Sequence, residues 1–103
     1  MNYSVVFSPK AREQLIALDE YIARAASPEI AARFADAVTD FCISLATFPQ
    51  RGIMRDNLRL GLRITNYRKR TVIAFVVEAE ARQVAILGIF HGGQDYEAVL
   101  QES

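Results

Sequence analysis

Two stretches of this chain are apolar at almost every position, Val72 to Val77 and Val84 to Phe90. In an extended strand, successive side chains point to opposite faces. Val72, Ala74 and Val76 then face one way and Ile73, Phe75 and Val77 the other; Val84 and Ile86 oppose Ala85, Leu87 and Ile89. Strands apolar on both sides belong to sheets covered on both sides. The chain must therefore supply two covers, or supply one and borrow the other.

Only one cover is evident from the pattern. Tyr3, Val5 and Phe7 alternate with Asn2, Ser4 and Ser8, broken only by Val6, which predicts a first strand. Ser8-Pro9 is a helix start, the serine as N-cap and the proline in the first turn. Ala11, Leu15, Leu18, Ile22 and Ala25 follow as one apolar stripe. Ser27-Pro28 repeats the signal, with Ile30, Phe34, Ala37, Phe41, Leu45 and Phe48 as the second stripe and Pro49 as the stop. The link is so short that the two helices form an antiparallel hairpin. Cys42 lies beside the second stripe and reads as a small buried hydrophobe.

Residues 49–57 read as an irregular basic loop. Leu58, Leu60, Leu62 and Ile64 alternate with Arg59, Gly61, Arg63 and Thr65, predicting a strand with an arginine-bearing face. Asn66 to Lys69 is a turn, Arg70 to Glu78 a strand, Glu78 to Arg82 a turn, and Gln83 to Phe90 the last strand. Asp95 to Gln101 is long enough for one or two helical turns. The expected order is β-α-α-β-β-β. The fold class is α+β in two layers: an N-terminal strand and an antiparallel helical hairpin on one face of an antiparallel three- to four-stranded sheet. Residues 1–103 form a single domain in this reading.

The helical hairpin covers one sheet face. The tail from Asp95 hides part of the other and leaves the rest for a partner. Covering about 500 Å² of apolar surface contributes roughly 12 kcal/mol before association costs of ~4–15 kcal/mol are subtracted.

Charge narrows the partner. The chain is neutral overall, with 12 basic and 12 acidic residues, so no global field draws it to nucleic acid or membrane. Residues 51–70, however, hold seven basic side chains and Asp56 as the one acid. A local basic surface follows. One cysteine excludes an internal disulfide, and one cysteine with one histidine excludes the usual multi-Cys/His metal sites. No apolar run approaches the roughly 20 residues of a membrane helix, and the start lacks a signal-peptide pattern. The expectation is a cytoplasmic protein without cofactor, metal or membrane.

Chemically capable residues are few. His91 ends the last apolar strand, followed by Gly92 and Gly93, and then by Asp95, Tyr96 and Glu97. A metal-independent ribonuclease needs a proton acceptor, a proton donor and cations for the phosphorane charge. His91, Arg63 and Tyr96 are the candidates for such a set. The candidates for holding a partner or target are Arg59, Arg63, Arg68, Lys69, Arg70, His91, Asp95 and Tyr96.

Three segments together resemble the ParE/RelE superfamily of bacterial toxins from type II toxin–antitoxin modules. "FSPKAREQLIALDEYIA" (7–23) is similar to the family's first helix, "GLRITNYRKRTVIAFVVE" (61–78) to its arginine-bearing strand, turn and central strand, and "VAILGIFHGGQDYE" (84–97) to its last strand and closing turn. The ParE branch usually ends that strand in His-Gly-x-x-Asp, which His91, Gly92 and Asp95 match. Gln94 departs from it, arginine being commoner there. The resemblance implies a toxin that inhibits DNA gyrase by binding, is neutralised by a ParD-like antitoxin, and reaches operator DNA only through that antitoxin. Two alternatives accompany it: a ribosome-dependent mRNA endoribonuclease of RelE type, and a non-toxic antitoxin-binding module. Asp95 and Glu97 beside Tyr96 disfavour an RNA phosphate at that place.

Overall fold

The computed structural model describes residues 3–101. The expected helices begin where their serines place them. Helix α1 spans Pro9–Ala25 and α2 spans Pro28–Ser44. Ser8 Oγ accepts from the Ala11 N–H at 3.0 Å, and Ser27 Oγ from the Ile30 N–H at 3.1 Å. Each proline sits where a backbone donor has no helical acceptor anyway.

Helix α2 stops five residues before Pro49. Its last turn tightens into bonds from Leu45 to Cys42, Ala46 to Ile43 and Thr47 to Ser44. Ser44 Oγ also donates to the Phe41 carbonyl, a local competitor of helical bonding. The stripe extended too far at both ends: Ile30 is 46% exposed and Phe48 60% exposed.

Among the described residues the sheet has five strands: β1 (Ser4–Phe7), β2 (Ile53–Met54), β3 (Leu62–Tyr67), β4 (Thr71–Glu78) and β5 (Gln83–His91). Their spatial order is β1-β5-β4-β3-β2, with β1 parallel to β5 and the other pairs antiparallel. The two-residue β2 adds a strand to the expected count. The expected strand from Leu58 begins only at Leu62. Asp56 Oδ1 accepts from the Gly61 N–H at 2.8 Å, and Leu58 and Arg59 fold back onto the Arg55 carbonyl. Turn chemistry at Asp56, Asn57 and Gly61 thus overrides the alternation of leucines. Leu60 is left 85% exposed. In compensation β3 runs on to Tyr67, and the turn moves to Arg68–Arg70, with Arg68 at φ 58°.

The faces also differ from simple alternation in β5. Ile73 pairs with Ile89 and Phe75 with Ile86, so a β-bulge lies between Ala74 and Phe75 on the β4 side. The extra residue in β5 reverses its facing. Ile86 and Ile89 consequently share the helix-side face instead of opposing each other. Gly88 lies in this irregular stretch, where a Cβ would stand 2.5 Å from a Phe90 ring carbon. The absent side chain lets the Phe90 ring fold back against the strand.

Each face has its own core. Against the helices, Leu18, Val38, Cys42 and Leu45 pack with Ile73, Phe75, Val84, Ile86 and Ile89. On the outer face, Leu62, Ile64, Ala74 and Phe90 pack with Leu100. Leu100 belongs to helix α3 (Tyr96–Gln101), so the tail supplies the second cover. That cover is incomplete. Across the row Val6–Ala85–Val76–Leu62, Val6 is 39% exposed, Ala85 and Val76 are half-buried, and Leu62 is sealed. The outer face is less open than two-sided apolarity implied, because α3 and Leu58 close its β3 and β4 side.

Cys42 is buried, and burial pushes its thiol up to about 12. It is packing, as expected. Among the described residues no helix is long and apolar enough to cross a membrane.

Candidate partner-binding surface

The basic residues of 51–70 do not form one patch. Arg51 stacks over the Phe41 and Phe48 rings at 5.5 and 5.4 Å. Arg63 lies on the helix-side face of β3 and donates to the Arg51 carbonyl at 3.2 Å and to Gln50 Oε1. Its guanidinium fastens the loop after α2. Arg59 is exposed in the turn before β3. Arg68, Lys69 and Arg70 are exposed together at the β3–β4 turn, with Arg68 over the Tyr67 ring at 5.4 Å. These last three remain a compact basic surface.

Arg55 carries a role that sequence reasoning missed. It donates to the Tyr96 hydroxyl at 3.1 Å, pairs with Glu97, and also reaches Asn57 at 3.3 Å. It therefore clamps α3 to the turn before β3. Tyr96 packs on Phe90 with ring centroids 6.1 Å apart, in the outer core. Asp95 accepts from the Ala98 N–H at 3.1 Å and caps α3. Nothing in the sequence pairs Arg55 with residues 41 and 42 positions away.

His91 sits on the other side of the sheet. Its Nδ1 is 2.9 Å from the buried Thr71 hydroxyl, and its ring meets Phe34 of α2 edge-on at 5.6 Å. Its backbone N–H donates to Gln94 Oε1 at 2.9 Å. Burial, and then the nearby Arg70 cation, hold the imidazole below its ordinary value of 6.5, favouring the neutral form. Gly92 and Gly93 turn the chain at φ 72° and 87°, conformations that glycine adopts without a Cβ penalty. The Gly92 N–H closes the turn on the Arg70 carbonyl at 2.9 Å.

The three residues considered for ribonuclease chemistry do not converge. His91 faces the helices, whereas Tyr96 packs on the outer face. Arg63 is four residues along β3 from Tyr67, the residue in register with Thr71 and His91. That offset is roughly 13 Å along the strand. Both of its terminal nitrogens already donate to the loop.

What the His91 side does form is a cleft of about 430 Å³ between α1 and the end of β5. Gln14, Ala17, Leu18 and Tyr21 give its helical wall, and Ile89, His91, Gly92, Arg70 and Gln94 the opposite one. A second cleft of about 390 Å³ lies behind Arg70, Gly92 and Gln94, and Lys69 and Tyr96 belong to its lining. Arg68, Lys69, Arg70 and His91 are thus neighbours in space, while Arg59 and Arg63 lie elsewhere. Among the described residues no group of three or more His, Cys, Asp or Glu side chains could hold a metal ion.

Comparison with known proteins agrees with this architecture. The chain superposes on a toxin from the chromosomal ParDE system of P. aeruginosa with a TM-score of 0.72 and 22% identity, over 86% of this chain and 95% of that one. For the RelBE2 toxin–antitoxin complex of Mycobacterium tuberculosis the TM-score is 0.63 and the identity 25%, over 89% and 100%. A free mutant of E. coli toxin RelE gives 0.68 at 10% identity, over 99% and 96%. Among curated proteins, none matches the chain in sequence. The family described as the ParE toxin of the type II toxin–antitoxin system, parDE, matches residues 5–96. That span runs from β1 through the His91 turn to the start of α3, and the chain belongs to the ParE family of type II toxins.

Proposed function

We propose that this toxin acts on DNA gyrase by binding, stalls the enzyme in its DNA-cleaved state, and is neutralised by a ParD-like antitoxin. The observation that carries the reading is the family match from β1 to Tyr96. The separation of His91, Arg63 and Tyr96 adds support, because it leaves no assembled general acid–base pair for RNA cleavage. Relatives solved as ParDE and RelBE toxin–antitoxin systems support an antitoxin partner. Operator DNA is contacted through the antitoxin in this scheme.

The test combines purified gyrase, supercoiled plasmid and the folded toxin. Loss of supercoiling together with accumulation of cleaved plasmid is expected. Gyrase that works normally in the presence of folded toxin refutes the proposal, as does message cleavage in a translating extract.

A further inference from the structure

The cleft beside His91 has an unusual hydrogen-bonding polarity, which arises from how β5 ends. Strand β1 accompanies β5 only as far as Ile86. Beyond that point this edge of β5 has no strand neighbour among the described residues, and side chains complete its bonding. Ser8 Oγ donates to the Leu87 carbonyl at 3.4 Å, Gln14 Oε1 accepts from the Ile89 N–H at 2.7 Å, and Gln94 Oε1 accepts from the His91 N–H.

Both glutamines of the cleft therefore spend their carbonyl oxygens on the strand. Their NH₂ groups remain as the donating ends. Arg70 adds a guanidinium that forms no ion pair among the described residues, and Tyr21 adds a hydroxyl. His91 Nδ1 is occupied by Thr71, which leaves Nε2 as its other polar atom. Among the described residues no Asp or Glu lines the cleft. Asp95, the nearest acid in sequence to Gln94, is committed to capping α3. The wall is rich in donors and poor in acceptors, so its complement is an acceptor carrying negative charge.

The remaining lining narrows the ligand further. Ala17, Leu18 and Ile89 contribute apolar surface beside these donors. Among the described residues of the lining, Arg70 is the one formally charged side chain while His91 is neutral. A phosphate group brings a charge of about −1.5 to −2 and no apolar surface. A carboxylate on an apolar peptide segment brings one charge and the matching surface. We infer that this cleft is a receptor for an aspartate or glutamate side chain presented by an acidic, apolar segment of a partner protein. Gln14, Arg70 and Gln94 are its donors, and Tyr21 and Leu18 form its apolar side. The inference rests on the antitoxin reading for the source of that segment, and it names the residue class the antitoxin must present here.

The probe is a blocked peptide, acetyl-Ala-Leu-Glu-Leu-Ala-amide, titrated into the isotope-labelled toxin and followed by NMR. Its isostere with Gln for Glu and inorganic phosphate are the parallel arms. Binding near the millimolar range, ~1–10 mM, is expected for so small a ligand. The Glu peptide should shift the side-chain NH₂ signals of Gln14 and Gln94 and raise the His91 titration midpoint. The Gln peptide should bind about tenfold more weakly, as loss of a charge-assisted contact implies.

Arg70→Gln and Gln94→Glu should weaken the Glu peptide by a similar factor. Both sites are exposed, and Gln94→Glu keeps the acceptor for the His91 N–H while removing the donor. A wild-type spectrum away from the cleft verifies their fold. Equal responses to the Glu and Gln peptides, or shifts confined to other surfaces, overturn the inference. So does phosphate saturating the same signals while the Glu peptide leaves them unmoved. Neither gyrase nor antitoxin enters this titration, so its failure and failure of the gyrase assay are separate results.

Discussion

Replacing Gly88 by alanine tests directly how the Phe90 ring lies over β5. A Cβ at this position stands 2.5 and 2.8 Å from two ring carbons of Phe90 and 3.4 Å from Gln14 Oε1. The backbone at Gly88 needs no positive φ, so the cost of the substitution is steric. Phe90 is 2% exposed and packs with Leu62, Ile64 and Leu100, and its ring has little room to withdraw. Overpacking of this kind costs about 1–3 kcal/mol. Phe90→Ala alone should cost about 3–5 kcal/mol through lost burial and a cavity. With the ring gone, the Gly88 methyl meets no close side-chain carbon, and its added cost should fall to about 0.5 kcal/mol or less. A double-mutant cycle by urea unfolding should then show a coupling of roughly 1–2 kcal/mol between the two sites. Additive effects would refute the claim that the Phe90 ring lies over position 88.

Three further outcomes follow from the same geometry. Ser8→Ala and Ser27→Ala should each lower stability by about 1 kcal/mol in denaturant unfolding, since each hydroxyl accepts a first-turn N–H; no change at either site refutes its capping role. Cys42, buried and with its thiol raised to about 12, should react with a thiol reagent at pH 8 only as fast as the protein opens; rapid labelling of the native protein refutes its burial. His91 is held below 6.5 when folded, so the unfolded chain binds the extra proton between the two values. Stability should therefore rise with pH through that window and level off above about 6.5, relative to a His91→Gln control; a native imidazole midpoint at or above 6.5 refutes the assignment.

Legibility followed the range of the interaction. The helix starts were readable because Ser8-Pro9 and Ser27-Pro28 act within one turn. The β4–β5 turn was readable for the same reason, and the two-sided apolarity of β4 and β5 pointed correctly to a sheet buried on both faces. The strand expected from Leu58 starts late because turn residues interrupt its period of two. The clustering of arginines in sequence was real, but its meaning was not local. Arg51 lies on aromatic rings, Arg55 on α3, and Arg63 on the loop after α2, which leaves the β3–β4 turn as the exposed basic cluster, with Arg59 exposed apart from it. The cleft beside His91 was invisible because its donors come from α1, the β3–β4 turn and the chain after β5.

The sequence by itself determined the order of the long elements, the hairpin of helices and a membership carried by ordered segments from β1 to Tyr96, but not the short β2. Caps, periods and segment order need only neighbours along the chain. The tertiary structure decided which face each β5 side chain takes, what closes the outer sheet and which arginines stay free. Those outcomes depend on a bulge of one residue, on a six-residue helix folding back, and on partners some forty positions apart. One inserted residue reverses every later side chain in a strand, and no periodicity in the residues themselves announces it.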